Sequence, residues 1–393
     1  MKVRNRGALG VVLALVAVTA ATVSVTSASA AGKPIVIGWA DDSTGNMAPF
    51  DQPALAAAKF EVARINAKGG VKGRPLKIVT CDTQGNKPDV AKSCGAKLVG
   101  QKVDIVFTTC DVDYATPVVQ ESINAGKLTV APCIGTDQMG PSRFGAKGKL
   151  AFSFGNAAQD EGSAMAQYAW DRGWKTAATG TNSLLVYFKE VVQAFEIRFK
   201  QLGGTIASQA TYTTGQNNVG AAVSQLNGVK ADVYVTSTSF GELPAFVTGI
   251  RSLGNETPIL NSWAGDGTYW LPKAGVTNYY AVTFASAFGD DPNSAVNTLA
   301  KAVKAGTGGF VTGAAAIDGV VTAINRAHGS TTGAALAAQM EKFNKVPGIS
   351  GLVSFSPSLH TVFGRKYRVI GITGTSAKVV GTVTAKVVPK FSS

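Results

Sequence analysis

The chain has 393 residues, 45% of them hydrophobic, and its 37 Lys and Arg against 24 Asp and Glu give a formal net charge of +13. That apolar content excludes a disordered chain, and roughly 150 residues per domain predicts two or three domains. Four Cys, two His and five Met exclude a disulfide-built fold and most multi-ligand metal sites.

The first thirty residues read as an export signal rather than as part of the fold. Lys2, Arg4 and Arg6 form a basic head, Ala8 to Val18 an apolar run, and Ala28-Ser29-Ala30 a small-residue end. The run is too short to span a bilayer, so cleavage after Ala30 is expected, leaving a secreted chain in the periplasm or cell envelope. The first cysteine is Cys81, so no lipid-anchoring cysteine adjoins that point. Loss of three bases and no acid leaves a net charge of +10. The remaining bases are scattered, with no run of five Lys or Arg, which predicts a solvated surface rather than a nucleic-acid groove.

From Lys33 onward the chain alternates short β-branched runs with longer helical stretches. A strand at 35–37 precedes a helix over 53–67, where Ala57, Phe60, Val62 and Ile65 form an apolar stripe that Gly69-Gly70 ends. Strands at 76–80, 103–107 and 128–131 follow, separated by helices over 88–101 and 117–124. The alternation then restarts, with strands at 152–154, 176–179, 205–211, 232–236 and 258–260. Helices over 161–171, 189–202, 219–228 and 243–253 lie between them. After a strand at 281–284 come helices over 295–305, 314–327 and 334–343, and β segments at 352–355, 367–372 and 379–387. Strand and helix in alternation predict parallel sheets covered on both faces, in two α/β units of similar size. The helical tail is expected to return to the first unit.

All four cysteines fall in the first unit. Four allow three pairings, and export makes disulfides the expected state. Cys81 ends the second strand and Cys94 lies in the helix after it. Cys110 and Cys133 sit just past the third and fourth strands, which are expected neighbours. The pairing expected is therefore Cys81–Cys94 and Cys110–Cys133. A zinc site is disfavoured, because no close Cys pair exists and His328 and His360 lie far away in sequence.

Catalytic motifs are absent from the sequence: there is no Gly-x-Ser-x-Gly elbow, no His-Glu-x-x-His and no phosphate-binding loop. Gly265-Asp266-Gly267 lacks the third glycine of a dinucleotide fingerprint and reads as a tight turn. No enzyme, metal or cofactor is expected. Binding chemistry is better placed, since ligands of open α/β sheets sit outside the carboxyl ends of the strands. In the first unit those ends carry residues 41–45, 108–114 and 132–136; in the second they carry Thr181, Asn182, Tyr187, 237–240 and 262–266. Hydroxyls, acids and aromatics thus occur on matching rims of two units, the composition of a small-molecule cleft. Capping of the following helices would use the same Ser, Thr and Asp residues.

The string Ile65-Asn66-Ala67-Lys68-Gly69-Gly70-Val71-Lys72-Gly73-Arg74-Pro75-Leu76 resembles a motif of the leucine/isoleucine/valine-binding family of ABC-transporter substrate-binding proteins. Ile35 to Ala40 with Ser43-Thr44-Gly45, Cys81-Asp82, Asn86 to Asp89, the Pro132 loop, Gln159, Tyr187 and Phe355-Ser356-Pro357 extend that resemblance over the whole chain after the signal. It implies the periplasmic-binding-protein type I fold: two doubly wound parallel-sheet lobes, joined by three hinge crossovers and closing on a ligand. The lobes expected are 31–153 with 288–356, and 154–287 with 357–393. It further implies capture of an amino acid or similar small solute and delivery to an ABC permease, by a monomer. A ligand-sensing receptor component would use the same fold, and an extracellular enzyme is the remoter alternative.

Carried onto this chain, the family's pocket implies Phe50, Thr136, Tyr187 and Phe240 as ligand contacts. Trp263 falls where an acid often holds a ligand ammonium, and Asp266 is the neighbouring acid placed to take over. One departure stands out. The family has a Ser-rich run after the third strand that binds the ligand carboxylate; here the run is Asp111-Val112-Asp113-Tyr114. Carboxylates facing the cleft would repel another, implying a cationic, neutral amide-like or polyhydroxylated ligand. Alternatively, Asp111 and Asp113 face solvent or cap the next helix.

Overall fold

A computed structural model describes residues 32–213 and 216–390, so the expected export signal at 1–30 lies outside the described residues. The first lobe is built on β1 (Ile35–Asp41), α1 (Ala48–Ala67), β2 (Leu76–Asp82), α2 (Pro88–Gly100), β3 (Ile105–Phe107), α3 (Val112–Asn124), β4 (Leu128–Ala131), the short α4 (Pro141–Phe144) and β5 (Ala151–Ser153). Its five strands form one parallel sheet in the order β2-β1-β3-β4-β5. β3 and β4 are buried along their whole length, as strands covered on both faces require.

The second lobe comprises α5 (Ala158–Asp171), β6 (Thr176–Asn182), α6 (Val186–Gln201), β7 (Thr205–Tyr212), α7 (Gln216–Asn227), β8 (Val233–Ser237), α8 (Glu242–Ser252), β9 (Ile259–Asn261) and β10 (Val276–Thr283). The chain continues through α9 (Ser294–Val303), α10 (Phe310–Arg326), α11 (Gly333–Met340) and the hairpin β11 (Val346–Gly348) and β12 (Gly351–Val353). It ends in β13 (Lys366–Gly374) and β14 (Ser376–Thr384). The second sheet runs β14-β13-β10-β9-β8-β6-β7. It is parallel from β10 to β7, with β13 and β14 added antiparallel at one edge. The long helix α10 packs along α1 of the first lobe.

Two helices start a turn or more earlier than their prolines suggest. Pro53 and Pro117 lie inside α1 and α3 rather than at their starts. A proline in a helix withholds the N–H that the carbonyl four residues back would accept. In α1 that carbonyl belongs to Pro49, and the Thr307 hydroxyl donates to it at 2.9 Å. The proline is tolerated because a side chain from the segment before α10 takes over the missing bond.

The chain passes between lobes three times: between β5 and α5, between β10 and α10, and between β12 and β13. Arg365, on the third passage, is 4% exposed and donates to the carbonyls of Phe154, Gly155 and Ser350, with its guanidinium 5.1 Å from the Phe284 ring centroid. One side chain thus touches all three passages. Asp160 lies alongside, accepting from the Gly364 N–H and the Tyr367 hydroxyl. The cysteines pair as Cys81–Cys94 and Cys110–Cys133, with Cα separations of 5.7 and 4.7 Å.

Candidate functional site

A small cavity lies where the carboxyl ends of the two sheets face each other. Met47, Phe50, Cys110 and Asp111 wall it from the first lobe; Leu185, Tyr187, Phe188, Ser239, Phe240, Trp263 and Ala264 wall it from the second. No Lys, Arg or His is among these residues.

The first-lobe wall is assembled by buried carboxylates. Asp42 accepts from the backbone N–H groups of Gly45 (2.7 Å), Gly85 (3.1 Å) and Met47 (3.0 Å), which folds the loop leading into α1. Asp51, one turn into α1, accepts from the N–H of Asp42 and of Cys110, both at 2.9 Å. It therefore ties α1, which carries Phe50, to the loop after β3. Burial pushes Asp51 up to about 8. Cys110 is in turn held to the loop after β4 by its bridge to Cys133.

Asp111 is 4% exposed and is the N-cap of α3: Oδ1 accepts from the N–H of Asp113 at 2.9 Å and of Tyr114 at 3.2 Å. It also lines the cavity, so the two readings open for it in the sequence are not exclusive. Burial first, then the neighbouring Asp113 carboxylate, push Asp111 up to about 7.

The second-lobe wall hangs on Glu161, in the first turn of α5. Its Oε2 accepts from the Tyr187 hydroxyl at 2.8 Å and from the Asn156 side chain at 3.1 Å, and its Oε1 accepts from the Trp263 N–H at 2.6 Å. One wholly buried carboxylate thereby sets two of the rings that face the cavity, and burial raises it to about 7. Trp263 stacks on Phe284 at 4.7 Å and meets Phe50 edge-on at 5.0 Å across the lobe boundary. Phe240, held in the left-handed region at φ +55°, turns its ring to within 6.1 Å of Phe188. Gly135 of the first lobe admits the Tyr187 ring: a Cβ there would lie 2.6 Å from a ring carbon.

Three expected ligand contacts lie outside the cavity wall. Asp113 accepts from Arg143 at 2.9 Å and from the Val186 N–H at 2.8 Å, so it fastens the start of α3 to the start of α6 in the opposite lobe. The Thr136 hydroxyl donates to Glu190 of α6 at 2.5 Å, and Gln138 donates to the same carboxylate at 2.6 Å. These are bonds between lobes and leave Thr136 no free hydrogen for a ligand. Asp266 is wholly engaged inside the protein, accepting from the N–H of Gly267 (2.7 Å) and Gly308 (2.5 Å) and from the Thr283 hydroxyl (2.7 Å). It shapes the approach to α10 rather than meeting an ammonium group.

Phe50, Asp111, Tyr187, Phe240 and Trp263 do share the cavity wall. Sequence reasoning missed Met47, Leu185 and Phe188, and it missed Glu161 and Glu190; Ser239 was included only within the rim segment 237–240. The first turn of α5, with Asp160 and Glu161 adjacent, was the available signal for a carboxylate-built support.

With this geometry in view, the model of the family described as periplasmic binding protein matches residues 34–376. The chain belongs to that family. A Leu/Ile/Val-binding protein homologue of Brucella melitensis is 25% identical to this binding protein over 336 residues, covering 84% of this chain and 89% of that one. Among solved structures, the branched-chain amino acid transporter substrate-binding protein LivJ from Streptococcus pneumoniae, in complex with isoleucine, superposes with a TM-score of 0.77 at 20% identity. That match covers 91% of this chain and all of the other (100%). A solute-binding protein of an ABC transporter from R. palustris, in complex with benzoate, gives 0.74 at 18% identity over 91% and 98% of the two chains. The fold is thus the two-lobed one of solute-binding proteins. Among the described residues no helix is long and apolar enough to cross a membrane.

Proposed function

We propose that this protein is the solute-capturing component of an ABC importer, working outside the cytoplasm. A small solute enters between the lobes, the lobes close over it about the three passages, and the closed form is offered to a membrane permease. The observation that carries this reading is the cavity itself, walled by side chains of both lobes, so that occupancy and closure are coupled. Asp113 at Val186 and Thr136 at Glu190 supply bonds available only when the lobes meet. The Brucella homologue, named for Leu, Ile and Val, and the isoleucine and benzoate complexes support a small solute with an apolar body. Two disulfides accord with an oxidising compartment.

The test is a melting-temperature screen of the exported protein, cleared of carried ligand by unfolding and refolding with its disulfides intact. The panel contains amino acids, amides, amines, aromatic acids and sugars. A ligand at a hundred times its Kd is expected to add roughly 2.7 kcal/mol of stability, readily visible as a shift. Small-angle scattering should show the same ligand making the molecule more compact. A panel that leaves both melting and compactness unchanged would overturn the reading, as would chemical turnover of the bound solute.

A further inference from the structure

We propose that the solute is a small organic cation lacking a carboxylate, its ammonium or amidinium group seated against Asp111 and its body held among the rings of Phe50, Tyr187, Phe188, Phe240 and Trp263. The proposal rests on the solute-binding reading above and deepens it.

Three independent observations converge. The first is that Asp111 spends only one oxygen on the helix. Oδ1 takes both N–H groups at the start of α3, whereas Oδ2 accepts no hydrogen bond from the described residues, and the side chain lines the cavity. That oxygen is therefore open to a donor that a ligand supplies.

The second is that the N-terminus of α3, which opens at this cavity, is already filled by that carboxylate. A ligand carboxylate placed at that helix end would sit beside it. No basic side chain lines the cavity to offset the repulsion, and the nearest strong base, Arg143, is paired with Asp113. The whole protein is basic, yet its buried charged side chains are acids apart from Arg365 and His360. Asp111 is the one charged side chain in the cavity wall, so the cavity itself favours positive charge.

The third is the ring wall. Phe50 with Trp263, Tyr187 with Trp263, Tyr187 with Phe188 and Phe188 with Phe240 have centroids 5.0, 6.5, 5.9 and 6.1 Å apart, so a chain of touching rings walls the cavity. Ring faces attract desolvated cations.

Matched ligands test the proposal by calorimetry on the refolded, ligand-free protein. Leucine and 3-methylbutylamine differ only by the carboxylate; benzoate, benzylamine and choline extend the set. The expected result is that an amine or choline binds about tenfold or more tightly than the carboxylate-bearing compounds. Asp111→Asn should lower that affinity about tenfold to a hundredfold while leaving the fold intact, because Asn caps helices as well as Asp. Tighter binding of leucine or benzoate than of their amine counterparts would overturn the proposal and leave the solute-binding reading standing. So would an amine whose affinity is indifferent to Asp111→Asn, or preferential binding of an amide or sugar in the broader screen. Failure of every compound to bind overturns both.

Discussion

Buried carboxylates that accept from backbone, amide and hydroxyl donors set the chemistry of this protein at the level of single residues. Asp51, Asp111 and Glu161 each organise a wall of the cavity through backbone or hydroxyl donors, and burial raises them to about 8, 7 and 7. A carboxyl raised in the folded state binds its proton more tightly there than in the unfolded chain. Its contribution to stability is thus fully present below its unfolded value of about 4 and is lost as pH rises through 7 to 8. The expected outcome is a melting temperature that falls between pH 5 and pH 8 in the ligand-free protein, measured by calorimetry. A flat or rising profile over that interval would show that these groups stay ionised in the fold. These carboxylates were named in the sequence unevenly. Asp111 stood out because it broke a family pattern, whereas Glu161 carried no motif and acquires its role only when α5 meets the loops before α6 and after β9.

At the scale of elements, the cavity depends on how closely one lobe's loop approaches the other lobe's helix. Gly135 follows β4, and a Cβ added there would meet the Tyr187 ring at 2.6 Å. That ring is fixed at its hydroxyl by Glu161, so it has little freedom to retreat. Gly135→Ala is therefore expected to weaken solute binding by about tenfold, since overpacking costs 1–3 kcal/mol and falls on the closed arrangement. Calorimetric titration of the variant checks this; unchanged affinity would mean that Gly135 and Tyr187 are apart when solute is bound. Element boundaries show where local patterns mislead. Pro117 reads as the start of α3, yet the helix begins at Val112 and Asp111 is its cap, because Pro is tolerated inside when the rest of the helix is packed. The neighbouring Pro53 is tolerated by a donor, Thr307, that lies far along the chain and is invisible to any local reading.

At the scale of the whole molecule, the three passages between lobes meet at Arg365. Its guanidinium donates to three carbonyls, and burial holds it below its ordinary value while Asp160 and Glu161 act in the opposite sense. Arg365→Ala leaves those carbonyls unpaired and two buried carboxylates without their nearby cation. A loss of about 2–5 kcal/mol is expected in urea unfolding followed by far-ultraviolet dichroism. A loss below about 1 kcal/mol would mean that water replaces the side chain fully. The sequence by itself determined the alternation of strands and helices, two α/β lobes, the disulfide partners and five residues of the cavity wall. The alternation, the lobes and the pairing follow from apolar periodicity, turn residues and strand order, which are local or topological; the wall residues came from the resemblance to the binding-protein family, together with the rule that ligands sit at strand carboxyl ends. Only the tertiary structure decided that Asp113 and Thr136 bind across the lobes, that Asp266 is consumed by the approach to α10, and that Asp111 caps a helix and faces the cavity at once. Each of those roles turns on which donor arrives from a distant segment, and the spacing of residues along one chain does not encode that arrival.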